Sequence, residues 1–287
     1  MIHSPSKVEA YDFCSLKGKI MYKDKWVPRE ADNGTVGKIV GAAFARGTYD
    51  IHLGQGTGLE PAYRLFNRTT EHYVKYGVSF NTDLAVVREN LGKALVKYQA
   101  QNPFKNWQIK GAELELADYG KCRLDVLGID PNGVWSIADV KYKRQLKLDY
   151  LNKTVNEYRD SWQFQHYPWA YNDYINKNAL TGVTELEPCQ QMVLVLVIAE
   201  PFKVLPFTFM VKDKLQARWI KSAQQKWADI SAIESGEREP IMAATHRDQY
   251  GDCPMKRVCL DLDLDLALMA FEYVQVPRLP EEDSVNV

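Results

Sequence analysis

Short runs of Val, Ile and Leu, each cut off by Gly, Asp or Pro, crowd the middle of the chain. The first is Gly111-Ala112-Glu113-Leu114-Glu115-Leu116-Ala117. The second is Lys121-Cys122-Arg123-Leu124-Asp125-Val126-Leu127-Gly128-Ile129-Asp130, and the third, after Pro131-Asn132-Gly133, is Val134-Trp135-Ser136-Ile137-Ala138-Asp139-Val140-Lys141. Runs of this length bounded by turn formers predict strands joined by tight turns. Two further strands are predicted near residues 191–199 and 204–211. The first of these holds the longest apolar run, Met192 to Ala199, far too short to cross a bilayer and suited to a buried strand.

Helical signals flank these strands. Ser4-Pro5-Ser6 opens a first helix, with Ser as N-cap and Pro in the first turn, where its missing N–H costs nothing. Val8, Tyr11 and Cys14 then fall along one side. A glycine-rich stretch over residues 34–58 precedes a helix from about Glu60. Asn81-Thr82-Asp83 starts another, with Leu84, Val87, Leu91 and Leu95 at helical spacing. One long helix is predicted over 151–176, and one over 213–234 with Leu215, Trp219 and Trp227 on its apolar side. Strands flanked by helices predict an α/β (α+β) fold around a central mixed sheet. The expected organisation is a single domain over 1–276, with a helical insertion at about 34–101, a core at about 107–212, and a C-terminal helix and cysteine segment over 213–276. A polar, proline-bearing tail over 277–287 is expected to fray.

Composition adds constraints on partners. The chain has 287 residues, 46% of them hydrophobic, enough for a sizeable core, and its net charge of −1 announces no polyanion partner. The distribution is more suggestive: Lys141, Lys143, Arg144, Lys147, Lys153 and Arg159 crowd one stretch, and Lys17, Lys19, Lys23 and Lys25 another. Local basic clusters grip phosphates even on a neutral protein, although a solvated face has the same composition. Five cysteines, with no apolar leader at the N-terminus, predict a soluble protein of a reducing cytoplasm (a host cell's, if phage-encoded), with no membrane partner.

Asp125, Asp139 and Lys141 carry the candidate chemistry. Two residues apart on an extended strand, Asp139 and Lys141 point to the same face, and Asp125 from the preceding strand can meet them there. Carboxylates suit a hard cation such as Mg or Mn, which binds one or two acids plus a phosphate. Such a cation polarises a scissile phosphate and acidifies a bound water, while a nearby lysine offsets charge. The competing reading is an ordinary hairpin with surface charges.

The arrangement resembles the PD-(D/E)XK nuclease superfamily, and within it the RecB-like and CRISPR-adaptation (Cas-type) exonucleases. Asp125 matches the motif II acid, and Asp139 with Lys141 the acid-x-Lys motif III. A departure is Cys122-Arg123-Leu124, where the family usually has a Gly ahead of the motif II acid. The resemblance implies a restriction-endonuclease-like sheet and hydrolysis of DNA phosphodiesters with one or two Mg or Mn ions. Motif I of the family supplies a His after a Gly. Here the nearest match is Gly47 to His52, one residue longer than usual, and Glu60 offers an acid instead. Glu113 or Glu115 would approach the metal from the first strand. Gln163 and Tyr167 match the Q-x-x-x-Y element of RecB-like nucleases, a spacing that puts both on one helix face. Lys143, Arg144 and Lys147 would guide the strand. Many relatives hold a four-cysteine iron–sulfur cluster, for which Cys14, Cys253 and Cys259 supply three ligands. The fourth is absent, leaving either substitution by His246 or a degenerate cluster whose thiols pack as small apolar groups.

The implied substrate is DNA, single-stranded or at duplex ends, in recombination, repair or phage and mobile-element processing. Self-association or recombination and CRISPR-type partner proteins are open. Two other functions are compatible: a catalytically silent nuclease-fold subunit that binds DNA or a partner, and a sequence-specific endonuclease.

Overall fold

The computed structural model describes residues 1–279 apart from 121, 180–185, 242–246, 249, 250, 254, 256, 257, 259–268 and 271. At its centre is a five-stranded sheet: β1 (Gln108–Leu116), β2 (Cys122–Ile129), β3 (Trp135–Lys143), β4 (Gln191–Ala199) and β5 (Phe202–Met210). The strands lie side by side in chain order. β1, β2 and β3 form an antiparallel meander, β3 and β4 run parallel, and β5 returns antiparallel to β4. Parallel neighbours need a long crossover. Here it is made by α5 (Leu151–Arg159) and α6 (Trp162–Ala179).

Helices cover both faces of the sheet, and β4 shows how the sequence sorts them. Every residue of β4 except Ala199 is buried, as expected of a strand covered on two sides. Val193, Val195 and Val197 face α2 (Asn33–His52) and α4 (Leu84–Ala100), packing with Phe44, Leu91, Leu95 and Tyr98. Met192, Leu194 and Leu196 face the other way, against Phe164, Tyr167 and Tyr171 of α6. α3 (Leu59–Lys75) packs outside α2 and α4. α1 (Pro5–Phe13) and α7 (Asp213–Ser235) close the α6 side through Val8, Tyr11, Trp227 and Ile230.

The mixed sheet flanked by helices agrees with the expected fold class, and three local expectations change. The glycine-rich stretch is mostly the 20-residue helix α2. Its Gly47 is where the helix meets Leu95 and the backbone of Gly58; a Cβ on either glycine would lie within 3 Å of the other's chain. Gly58 also has φ of 70°, a conformation glycine adopts without strain. The single helix expected over 151–176 is broken at Asp160-Ser161. Ser4 precedes the first helix in an extended conformation but makes no side-chain cap bond, leaving Pro5 to set its start. No helix among the described residues is long and apolar enough to cross a membrane.

Candidate active site

Backbone pairing between β2 and β3 runs from Ile129↔Trp135 to Val126↔Ala138 and stops one step short of Asp125 and Asp139. Beyond that point the strands part. The Val140 N–H, freed from the ladder, donates to Asp125 Oδ2 at 2.8 Å. A side-chain carboxylate thus replaces a strand partner and holds Asp125 beside Asp139 where the strands diverge. On the other edge of β2, the pairs Ala112↔Val126 and Leu114↔Leu124 set Glu113 level with Asp125. The structure therefore lines up Glu113, Asp125 and Asp139 across three strands.

Asp139 is fully buried. Its Oδ1 accepts from Lys141 Nζ and from Gln163 Nε2, both at 2.9 Å. Its Oδ2 is buried with no hydrogen-bond partner. Gln163 Nε2 also donates to the Tyr167 hydroxyl, so the two residues one turn apart on α6 are linked to Asp139. The Lys141 side chain keeps 25% of its exposure, so the cluster reaches solvent through it.

The electrostatics fit crowded acids. Burial raises the Asp125 carboxyl well above its usual range, with the charges of Asp139 and Glu113 adding to the rise; Lys141 and the Val140 N–H oppose it. Burial pulls the Lys141 amine down, but Asp139 and Asp125 more than offset that and hold it protonated. Burial also raises the Tyr167 hydroxyl, reinforced by Asp139 and Asp125, which keeps it neutral.

Glu113 and Glu115, equivalent in the sequence, are separated by the fold. Glu115 is exposed. Glu113 is 4% exposed, bonded to Arg123 Nε at 2.8 Å, and has φ of 50°, a left-handed conformation that costs a non-glycine residue about 1 kcal/mol or more. Its carboxyl is pushed up by burial and by Asp139, against Arg123 and Arg46. Backbone strain at a buried acid level with Asp125 marks it as part of the same constellation.

The remaining candidates lie elsewhere. His52 ends α2, with Nε2 at 2.9 Å from the Tyr98 hydroxyl, its ring edge-on to Phe104, and Nδ1 buried without a partner. Burial alone lowers its pKa to about 4. It stands behind Tyr98, and it is Tyr98 that feels the charge of Asp125. Glu60 is exposed on α3 and pairs with Arg64. Lys143 is half-buried over the Tyr158 ring and Arg144 and Lys147 are exposed, Arg144 near Glu200. Cys14 and Cys253 share a buried cluster with Leu16, Ile20, Met255 and Val258, so the chain's two ends do meet there. Cys259 and His246 lie outside the described residues. Sequence reasoning missed Tyr98 and Arg123, whose partners His52 and Glu113 lie on other elements and leave no local spacing signal.

The donor set suits a divalent cation. Among the described residues no three His, Cys, Asp or Glu side chains are grouped tightly enough to share an ion. The protein's share would be two carboxylates, the usual number for Mg, which keeps waters and binds substrate phosphate. The unpartnered Asp139 Oδ2 beside Asp125 is the feature such an ion satisfies.

Residues 3–260 match the PD-(D/E)XK nuclease superfamily. A search of curated proteins finds no match. Among solved structures, one described as "Putative exonuclease", from Eubacterium rectale, superposes with a TM-score of 0.53 at 15% identity, covering 92% of this chain and 93% of that one. At that identity the likeness shows the fold.

Proposed function

Because the chain belongs to the PD-(D/E)XK nuclease superfamily, we propose that it is a metal-dependent DNA exonuclease of the RecB-like type. The observation that carries the proposal is the buried, unpartnered Asp139 Oδ2 beside Asp125, within reach of a protonated lysine. Asp125 and Asp139 would hold one or two Mg or Mn ions, with Glu113 level with them on the neighbouring strand. When bound, such an ion polarises the scissile phosphate and makes a hydroxide available near neutral pH.

The chain's own groups do the rest. Lys141, anchored by Asp139, keeps its proton and offsets negative charge developing on the phosphate. Gln163 fixes Asp139 from α6 and orients its free oxygen away from the amide. Tyr167, held neutral, is a hydroxyl donor suited to a phosphate oxygen. Lys143 ends β3 two residues beyond Lys141, Arg144 and Lys147 follow it in the chain, and all three suit the backbone of an incoming DNA strand. His52 bonds Tyr98, which lies between it and the charge of Asp125. The resemblance to RecB-like nucleases favours DNA ends as substrate, single-stranded or duplex, in recombination, repair or phage DNA processing.

The test is cleavage of end-labelled single- and double-stranded DNA with Mg or Mn. Wild type should release mono- or short oligonucleotides, and Lys141→Ala should abolish release. Products with defined internal ends would point to an endonuclease. Wild type that binds DNA yet cuts it with neither metal would establish a silent DNA-binding subunit.

A further inference from the structure

Arg123 lies on β2 two residues before Asp125, and its guanidinium leans toward the site. Cys122 and Leu124 pack toward α6, so strand alternation sends Arg123 and Asp125 to the opposite face. Directly across the ladder from Arg123 stands Glu115 of β1, the neighbour a cross-strand ion pair ordinarily uses. Both are exposed, yet among the described residues no ion pair joins them. Arg123 Nε lies instead 2.8 Å from Oε2 of Glu113, the diagonal neighbour. Glu113 is level with Asp125, because Ala112 pairs with Val126 and Leu114 with Leu124. The guanidinium is thereby drawn to the level of Asp125.

This pair returns little stability for what it costs. The Glu113 side chain keeps 5% of its exposure and the Arg123 side chain 43%, so a desolvated acid meets a cation that water still screens. Such a pair repays little of the penalty of burying the acid. The left-handed backbone of Glu113, with φ of 50°, adds strain. What the arrangement supplies is orientation: a buried carboxylate fixes an exposed guanidinium by its Nε. Among the described residues neither Nη group of Arg123 has a hydrogen-bond partner. A guanidinium held in this way still offers the planar donors that match phosphate oxygens.

We propose that Arg123 binds a phosphate of the DNA strand beside the Asp125–Asp139 site, and that Glu113 is the positioning residue that aims it. The substrate rests on the nuclease reading above, and the test is a binding measurement that needs no cleavage.

Anisotropy of labelled single-stranded DNA, with Ca in place of Mg or Mn, reads binding by itself. Arg123→Ala should weaken it roughly tenfold, the scale of one charge-assisted contact. The slope of log K against log salt should fall by about 0.7, the share of one phosphate on a single strand. Arg123→Lys keeps a cation for Glu113 but has no fork to spare. It should bind as weakly as Arg123→Ala, and it carries the test if the alanine variant does not fold. Glu113→Gln should weaken binding when Arg123 is present and cost nothing more in Arg123→Ala, because the group it positions is already gone. When phosphates are replaced one at a time by uncharged methylphosphonates, one position should weaken wild type and leave Arg123→Ala unaffected. In cleavage, the loss should appear in KM, since ground state and transition state share the contact. An unchanged salt slope in Arg123→Ala, full affinity in Arg123→Lys, or no phosphate that distinguishes wild type from Arg123→Ala would overturn the assignment. Wild type that binds DNA in this way but cuts it with neither Mg nor Mn would overturn the nuclease reading and leave the assignment standing.

Discussion

The hairpin of β2 and β3 carries aspartates at both ends, and the two ends are built on opposite terms. At the turn, Asp130 is saturated with donors: the N–H groups of Asn132 at 2.8 Å and Val134 at 3.0 Å, and Gln191 Nε2 at 2.9 Å. Gln191 extends the network to Ser136 Oγ at 2.6 Å. Burial alone would raise the Asp130 carboxyl, but these bonds outweigh it and the pKa is lowered. At the open end, Asp125 has its pKa raised by burial and by like charges, and Asp139 leaves one buried oxygen unbonded. Donors match acceptors where the hairpin only has to close. Acceptors exceed donors at the open end, where the proposed cation would offset the cost of a buried polar group without a partner.

This contrast can be broken by substitution. The largest effect is expected from Lys141→Ala or Asp139→Asn, a loss of about 10²–10³-fold or more in kcat for DNA cleavage, the scale seen when one charge-stabilising group is removed from an active site. Next comes an inverted stability effect. A raised folded-state pKa means that folded Asp125 binds more protons than unfolded Asp125, near ~3.9 for the free group. Its contribution is intact below that value and falls as pH rises through the raised pKa. Asp125→Asn should therefore melt higher than wild type at neutral pH, with the two curves converging near pH 4, while cleavage is lost. Added Mg should raise the wild-type Tm and leave the variant's unchanged.

Asp130→Ala should do the reverse. Urea unfolding should show a loss of roughly 1–2 kcal/mol, the scale of a few part-solvated hydrogen bonds, with the metal concentration for half-maximal cleavage unchanged. Smallest of all, Glu60→Gln and Glu115→Gln, both exposed, should leave cleavage within about twofold of wild type, as surface substitutions commonly do. A larger loss in either would move the site's boundary.

Much of the open end was legible in the chain. A period of two relates Asp139 to Lys141, a tight turn brings Asp125 opposite, and a spacing of four joins Gln163 to Tyr167; all three are local rules. What escaped depends on distant partners. Nothing near Glu113 announces a left-handed backbone, because that conformation is imposed where β1 meets β2 and Arg123. Four glycines in 33–52 argue against a helix by propensity, but packing of Phe44 and Gly47 on Leu95 and the sheet overrides it. The break between α5 and α6 at Asp160-Ser161 is invisible in periodicity. The spacing from Gly47 offers His52 as a metal ligand, whereas its buried imidazole meets Tyr98 first.

The most direct test is a Mn(II) titration followed by electron paramagnetic resonance, with wild type, Asp125→Asn, Asp139→Asn and Asp130→Asn compared. Binding in wild type and Asp130→Asn, and its disappearance in the other two, is the predicted result. Equal binding by all four proteins, or none by wild type even with DNA present, would contradict the assignment of the open end as a cation site.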